Sequence, residues 1–279
     1  MKTYDLDIVI PVLMPSDYLK QMRNHLANLN SSIRVSYVLD FMYCEMTRDN
    51  SIHDLRQNER IFTGKFGSPG VARNSALKKC NSEFICFWDI DDFPDTEIIN
   101  VVLNELRESN KDMVIGEWSF FGQPLKKQGT SVIKVGNSPG IWRFVFKKEL
   151  LKRVEFSNLK WGEDQLFLMG VFARKPRILT IDKIIYLYRE NTPGSLTSQK
   201  KHVFDLYEAL KRGIEYFIVS KGNYKKCCGV MLLKQVFTLY RYGGFILGLK
   251  ALMYLIIKTH ASIINPMVFA RRSISGMEW

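Results

Sequence analysis

The sequence predicts an α/β fold with a mostly parallel central sheet, followed by a helical C-terminal extension. Three observations predict it. An apolar β-rich run, an amphipathic helix pattern and a second apolar run fit into about thirty residues at the N-terminus, as in a right-handed βαβ unit. The alternation of strand and helix signals continues to about residue 120. From His202 onward the pattern is helical, with apolar faces and many lysines.

The elements follow in order. Residues 6–12 (LDIVIPV) form a short apolar run that reads as a buried strand. A helix is expected from residue 16, where Leu19, Met22, Leu26 and Leu29 recur at helical spacing. Residues 33–39 (IRVSYVL) form the next strand and end at Asp40. A further strand is expected near residues 60–66, and Pro69 starts a helix behind Gly67 and Ser68. The fully apolar run 84–88 (FICFW) leads straight into Asp89-Ile90-Asp91-Asp92, and Pro94 is read as opening another helix. Residues 112–118 give a strand, 147–153 a basic helical piece, 164–172 a helix and 178–189 short strands. A polar loop over 190–198 closes this part. The expected division is a domain over 1–200 and a basic amphipathic helical extension over 201–279.

Composition narrows the function classes. The 279 residues are 46% hydrophobic and 24% charged, as a globular chain with a sizeable core requires. The five cysteines, at 44, 80, 86, 227 and 228, have no metal-ligand spacing and no disulfide-framework pattern, so a reducing compartment is expected. The N-terminal residues carry no apolar signal region, and no apolar run approaches the ~20 residues of a membrane span. The +12 formal charge is uneven: residues 200–279 carry 13 Lys+Arg against 4 Asp+Glu, a surplus of +9. The basicity thus belongs to the extension and suits an anionic surface.

The chemistry sits at strand ends. In an open parallel sheet, ligands bind beyond the carboxyl ends of the strands. Asp40, the Asp89 cluster and Asp164 lie at or beyond such ends. A lone strand-end Asp also reads as a turn or helix cap. Three carboxylates in four residues repel one another unless a cation or hydrogen bonds offset the charge. Mn²⁺ or Mg²⁺ takes oxygen ligands, often one or two carboxylates plus substrate phosphates. The competing reading is an acidic turn ahead of a helix.

Five strings carry a family resemblance: IVIPV (8–12), GSPGVARNSAL (67–77), FICFWDIDDFPD (84–95), WGED (161–164) and YLYRENTPGSLT (186–197). In order and spacing the chain resembles the family 2 glycosyltransferases over about residues 5–200. The resemblance implies a GT-A fold and an inverting sugar transfer from a nucleotide diphosphate, with a UDP-sugar as the expected donor. It implies that Pro11, Val12, Asp40, Arg73, Asn74, Asp89, Asp92, Arg189 and Ser195 serve the donor nucleotide. It makes Asp91, with Asp89, the ligands of a divalent metal, Mn²⁺ or Mg²⁺. Asp164 is the implied base and Glu163 orients the acceptor. Tyr188, Asn191 and Thr197 belong to the same terminal loop motif. One departure touches the base pocket: Phe41-Met42-Tyr43 replaces the family's usual polar, acidic stretch after Asp40.

The resemblance further implies a glycan or lipid-linked acceptor in bacterial surface polysaccharide (capsule or lipopolysaccharide) synthesis. The expected place is cytoplasmic, peripheral on the inner face of the cell membrane, with no nucleic-acid partner. Residues 245–257 (FILGLKALMYLII), with Lys250 inside, resemble an interfacial helix. The alternative for the extension is packing on the core or in a homo-oligomer. The competing functions are a nucleotidyltransferase, which lacks its glycine-rich loop at residues 12–15, and a membrane- or nucleic-acid-binding adaptor, which leaves the acidic motifs unexplained.

Overall fold

The structure is a computed structural model that describes residues 4–13, 16–40, 54–190, 192 and 202–259. The chain divides into two compact units. The first comprises 1–130, 141–158 and 176–194, the second 131–140, 159–175 and 195–279. Set against the expected division at residue 200, two earlier segments group with the C-terminal helices.

The first unit is built on an eight-stranded sheet. Its strands are β1 (Leu6–Val12), β2 (Ile33–Asp40), β3 (Glu59–Gly64), β4 (Phe84–Phe87), β5 (Phe93–Pro94), β6 (Met113–Phe120), β7 (Phe144–Lys147) and β8 (Ile178–Tyr188). Their order is β3-β2-β1-β4-β7-β6-β8-β5. The first four neighbours are parallel, as are β6 and β8, while β7 runs antiparallel between β4 and β6. Strand period 2 sorts the side chains of β1. Leu6, Ile8, Ile10 and Val12 enter the main core with residues of α1 (Ser16–His25) and α3 (Ile98–Glu108). The next residue on the other face, Asp7, is buried against arginines instead.

Two expectations are corrected here. Pro94 does not open a helix. Residues 93–94 pair with Leu187 and Tyr186 at the sheet edge, where a missing N–H is tolerated. The helix starts at Ile98, and at its entry Asp95 Oδ1 accepts the N–H groups of Glu97 and Ile98 at 3.0 Å each. Residues 178–188 form one strand rather than several. Its register against β6 shifts between Gly116 and Glu117, where Ile181 and Ile184 are the successive partners, so exposed Asp182 and Lys183 form a bulge. The basic piece at 147–153 is a strand end followed by a 3₁₀ turn over Lys148–Leu151.

The second unit is helical: α4 (Val132–Val135), α5 (Glu163–Ala173), α6 (Val203–Val219), α7 (Gly222–Gly243) and α8 (Phe245–Thr259). Gly213 lets α6 approach closely; a Cβ there would meet the Met169 sulfur at 2.9 Å and Leu232 at 3.0 Å. Among the described residues no helix is long and apolar enough to cross a membrane. Cys80, Cys86, Cys227 and Cys228 are buried.

Candidate active site

The carboxyl ends of β1, β2 and β4 converge in the first unit. Val12 lies beside Leu39 in register, and Pro11 and Val12 are buried. Asp40 ends β2 fully buried, and its Oδ2 accepts the Gly67 N–H at 2.6 Å. That bond ties β2 to the turn before α2 (Pro69–Leu77), where Gly67 has φ +73°. Ser68 then caps α2 by accepting the Val71 N–H, and Pro69 fills the first helical turn.

The cap fixes where α2 points its polar side chains. Arg73, buried, donates from Nη2 to Asp89 Oδ1 at 2.7 Å, and its guanidinium lies 5.4 Å from the centre of the Phe156 ring. Asn74 makes two backbone bonds to Phe156, donating to its carbonyl at 2.8 Å and accepting its N–H at 2.9 Å. Its amide is thereby committed to holding the chain at residue 156.

The acidic turn follows β4. Asp89 stays partly open, with its side chain 28% exposed. Its N–H donates to the hydroxyl of Tyr186, a fully buried residue of β8. Tyr186 stacks on Trp142 with ring centres 4.6 Å apart, and Tyr188 stacks on the same indole at 5.7 Å. Asp92 turns inward. Its Oδ1 accepts the Arg189 N–H at 2.7 Å, and its Oδ2 is buried with no protein partner. Burial, then the charges of Asp89 and Asp91, push the Asp92 carboxyl well above its ordinary range. Burial and then Asp89 also raise Asp91, against a smaller pull from Thr192 and Arg189. The Tyr186 hydroxyl is held protonated by burial and by the neighbouring carboxylates.

Arg189 follows the end of β8. Its guanidinium sits among three rings, 4.7 Å from Phe93, 5.5 Å from Phe121 and 5.6 Å from Tyr18. Phe93 and Phe121 are themselves stacked at 4.1 Å. A small pocket there is lined by Tyr18, Gln21, His25, Asp91, Asp92 and Arg189. The Arg189 Nε is buried with no hydrogen-bond partner.

Of the expected site residues, Pro11, Val12, Asp40, Arg73, Asn74, Asp89, Asp91, Asp92 and Arg189 all belong to the first unit. Ser195, Asn191, Thr197 and the 41–43 segment lie outside the described residues. Glu163 and Asp164 open α5 in the second unit, behind Gly162, whose φ of +87° and lack of a capping side chain leave the helix start to its own acidic pair. Glu163 is buried and Asp164 partly exposed. Tyr186 and Trp142 were not singled out from sequence, although period 2 in β8 places Tyr186 on the face of Tyr188.

Among the described residues no three His, Cys, Asp or Glu side chains are arranged to hold a metal ion. The acidic turn nevertheless suits a cation. Two carboxyls are raised by burial and mutual charge, and one buried oxygen lacks a partner. A cation with oxygen affinity opposes both penalties, and substrate phosphates commonly complete such a shell.

Residues 7–163 match the Glycosyl transferase family 2 model. Glycosyltransferase GlyG of Streptococcus pneumoniae serotype 4 is 23% identical over 72% of this chain and 74% of its own. The poly(ribitol-phosphate) β-N-acetylglucosaminyltransferase TarS of Staphylococcus aureus is 23% identical over 87% of this chain, which spans 46% of TarS. The crystal structure of TarS 1–349 in complex with UDP-GlcNAc superposes with a TM-score of 0.70 at 18% identity, covering 99% of this chain and 93% of that one. The mannosyltransferase PcManGT of Pyrobaculum calidifontis, in complex with GDP-Man and Mn²⁺, gives a TM-score of 0.58 at 12% identity, covering 97% and 86%. With the family model spanning more than half its length, the chain belongs to glycosyl transferase family 2, the nucleotide-sugar glycosyltransferases of GT-A fold.

Proposed function

We propose that this protein transfers a sugar from a nucleotide diphosphate, a UDP-sugar, to a hydroxyl of a glycan or lipid-linked acceptor, with inversion at the anomeric carbon. The observation that carries the reading is the acidic turn Asp89–Asp92 at the end of β4, flanked by Arg73 and Arg189. The UDP-GlcNAc bound to TarS supports the donor class, and the poly(ribitol-phosphate) acceptor in the TarS name supports a surface polymer as acceptor. Work at the inner face of an anionic membrane is supported by the +9 surplus of residues 200–279.

The reading assigns roles as follows. Asp164 accepts the proton of the acceptor hydroxyl as its oxygen attacks the anomeric carbon. The bond from that carbon to the diphosphate breaks, and the nucleoside diphosphate leaves with its electron pair. Glu163 orients the acceptor. Arg189, with its fork of donors and a buried Nε to satisfy, takes the diphosphate. Arg73 holds Asp89 in place. Asp91 with Asp89 would hold Mn²⁺ or Mg²⁺, which supplies neutralising charge to the leaving diphosphate.

Incubation of the purified chain with a panel of nucleotide sugars, Mn²⁺ and a polyol-phosphate or lipid-linked acceptor tests the reading. The expected products are the glycosylated acceptor and a nucleoside diphosphate, resolved by mass spectrometry. Release of pyrophosphate with nucleotidyl transfer would instead make it a nucleotidyltransferase and end this proposal.

A further inference from the structure

Helix α8 carries its apolar side chains outward. At 100° per residue, Phe245, Ile246, Leu249, Met253, Ile256 and Ile257 fall within an arc of about 120°. All six are exposed: Ile246 by 82%, Phe245 by 65%, Ile257 by 64% and Met253 by 54%. The opposite side packs. Gly248, Ala251, Leu255 and Thr259 are buried, and a Cβ on Gly248 would lie 2.6 Å from the Tyr240 Cβ of α7. That close approach fixes the rotation of α8, so the apolar arc faces away from α7. Tyr240 extends the surface, half-exposed and edge-on to Phe245 at 6.2 Å. Soluble surfaces rarely leave a contiguous apolar stripe of this kind open, and such stripes mark interaction sites.

The charges name the occupant. Helices α7 and α8 contain no acidic residue and carry Lys225, Lys226, Arg241, Lys250 and Lys258, besides Lys234, which is turned inward to the Asn137 carbonyl. Lys250 lies at the rim of the arc, and both it and Lys258 are exposed. Two copies of so basic a face repel each other, whereas anionic headgroups attract it. An apolar sector with Lys250 at its rim, and with exposed Tyr240, Tyr242 and Phe245 at one end, has the makeup of a helix lying in the headgroup region.

We propose that the outward face of α8 inserts into the headgroup region of an anionic lipid membrane, with Ile246, Leu249, Met253 and Ile257 as the inserting side chains. This rests on the reading that the protein works at a membrane surface. It is tested without turnover, so its failure is separate from failure of the catalytic assignment.

The experiment is flotation of the full chain with vesicles of phosphatidylcholine, with and without phosphatidylglycerol. The wild type is expected to float with the anionic vesicles and to stay in solution with the neutral ones. Replacing Ile246, Leu249, Met253 and Ile257 together by Asn is expected to abolish flotation and leave the melting temperature and the sedimentation mass unchanged. Lys250→Gln and Lys258→Gln are each expected to weaken binding about fivefold. A wild type that ignores anionic vesicles overturns the proposal, as does a quadruple variant that still floats. A drop in melting temperature or a change of mass in that variant shows the face covered by the chain's own C-terminal residues or by a second copy, and overturns it equally.

Discussion

The hydroxyl of Tyr186 accepts the backbone N–H of Asp89 at 3.0 Å, so β8 pins the acidic turn at the end of β4. The ring that carries the hydroxyl is fully buried and stacked on Trp142. Asp92 makes the second attachment between the same elements through the Arg189 N–H. The acidic turn is thereby tied at both ends to the end of β8 and the residue that follows it.

Tyr186→Phe keeps the stack and removes only the oxygen. The part-buried Asp89 N–H loses its acceptor, which costs about 0.5–1.5 kcal/mol. For a chain of this size that is roughly 2–4 °C of melting temperature per kcal/mol. Turnover is expected to fall as well, because the turn gains freedom. Calorimetry and steady-state kinetics on the one variant check both, and an unchanged melting temperature with full activity would show that the bond does not matter.

Asp91→Asn preserves shape and removes one charge. If Asp91 carries the cation, transfer falls by about 10²-fold or more, since the cation is asked for several kcal/mol of barrier. Mn²⁺ plus UDP is expected to raise the melting temperature of the wild type but not that of the variant. Full activity in a folded variant would remove Asp91 from the site.

Much of the fold was legible in the sequence, because the sheet is made from buried apolar runs. Residues 6–12 and 33–39 gave strands at nearly the observed bounds, and Pro69 marked α2. The misses have physical causes. Helix α3 starts only at Ile98, four residues beyond Pro94, and a proline on an edge strand leaves no sequence trace that separates it from a helix start. Asp182 and Lys183 break the apolar pattern of β8 because they bulge, not because the strand ends. At the site, residue types were legible and commitments were not. Asn74 reads either as a donor-site amide or as a buried hydrogen-bonding one until its two bonds to the Phe156 backbone are known, and those span 82 positions. The outward face of α8 depends on Gly248 packing against Tyr240, which no periodicity encodes.

Asp164→Asn separates the two sides of the reaction. A base that serves the acceptor contributes to the transition state and little to donor binding, so kcat should drop while the Kd for the nucleotide sugar stays put. Titration calorimetry with the donor alone, beside initial rates, reads both. Weakened donor binding of similar size would move Asp164 to the donor side.

The acid limit of stability should be set in part by Asp7 and Glu59, far from the chemistry. Burial alone would raise Asp7, but the Arg34 hydrogen bonds, with the charges of Arg60 and Arg34, outweigh it and hold the carboxyl below its ordinary 3.8. Arg34 binds both its oxygens at 2.6 and 2.8 Å, and the N–H groups of Asn81 and Ser82 add two more bonds. Glu59 is likewise held below 4.5, against burial, by Arg23 and then by the Arg56 N–H. A carboxyl depressed in the folded state binds fewer protons there than in the unfolded chain. Its stabilisation is complete above the unfolded pKa and is lost as pH falls through the folded one. These two groups therefore contribute a flat level from neutrality down to about pH 5, and a loss below pH 4. Asp7→Asn should cost roughly 2–3 kcal/mol at pH 7, short of the ~3–5 kcal/mol of a fully buried broken pair because both arginines keep some water. Denaturant unfolding of wild type and variant from pH 7 to pH 3 reads the outcome. The gap between them should shrink on acidification, as the wild type protonates the carboxyl the variant already lacks. A gap that stays constant to pH 3 would mean that Asp7 does not titrate in the folded protein within that range, or that its charge is not what stabilises the sheet.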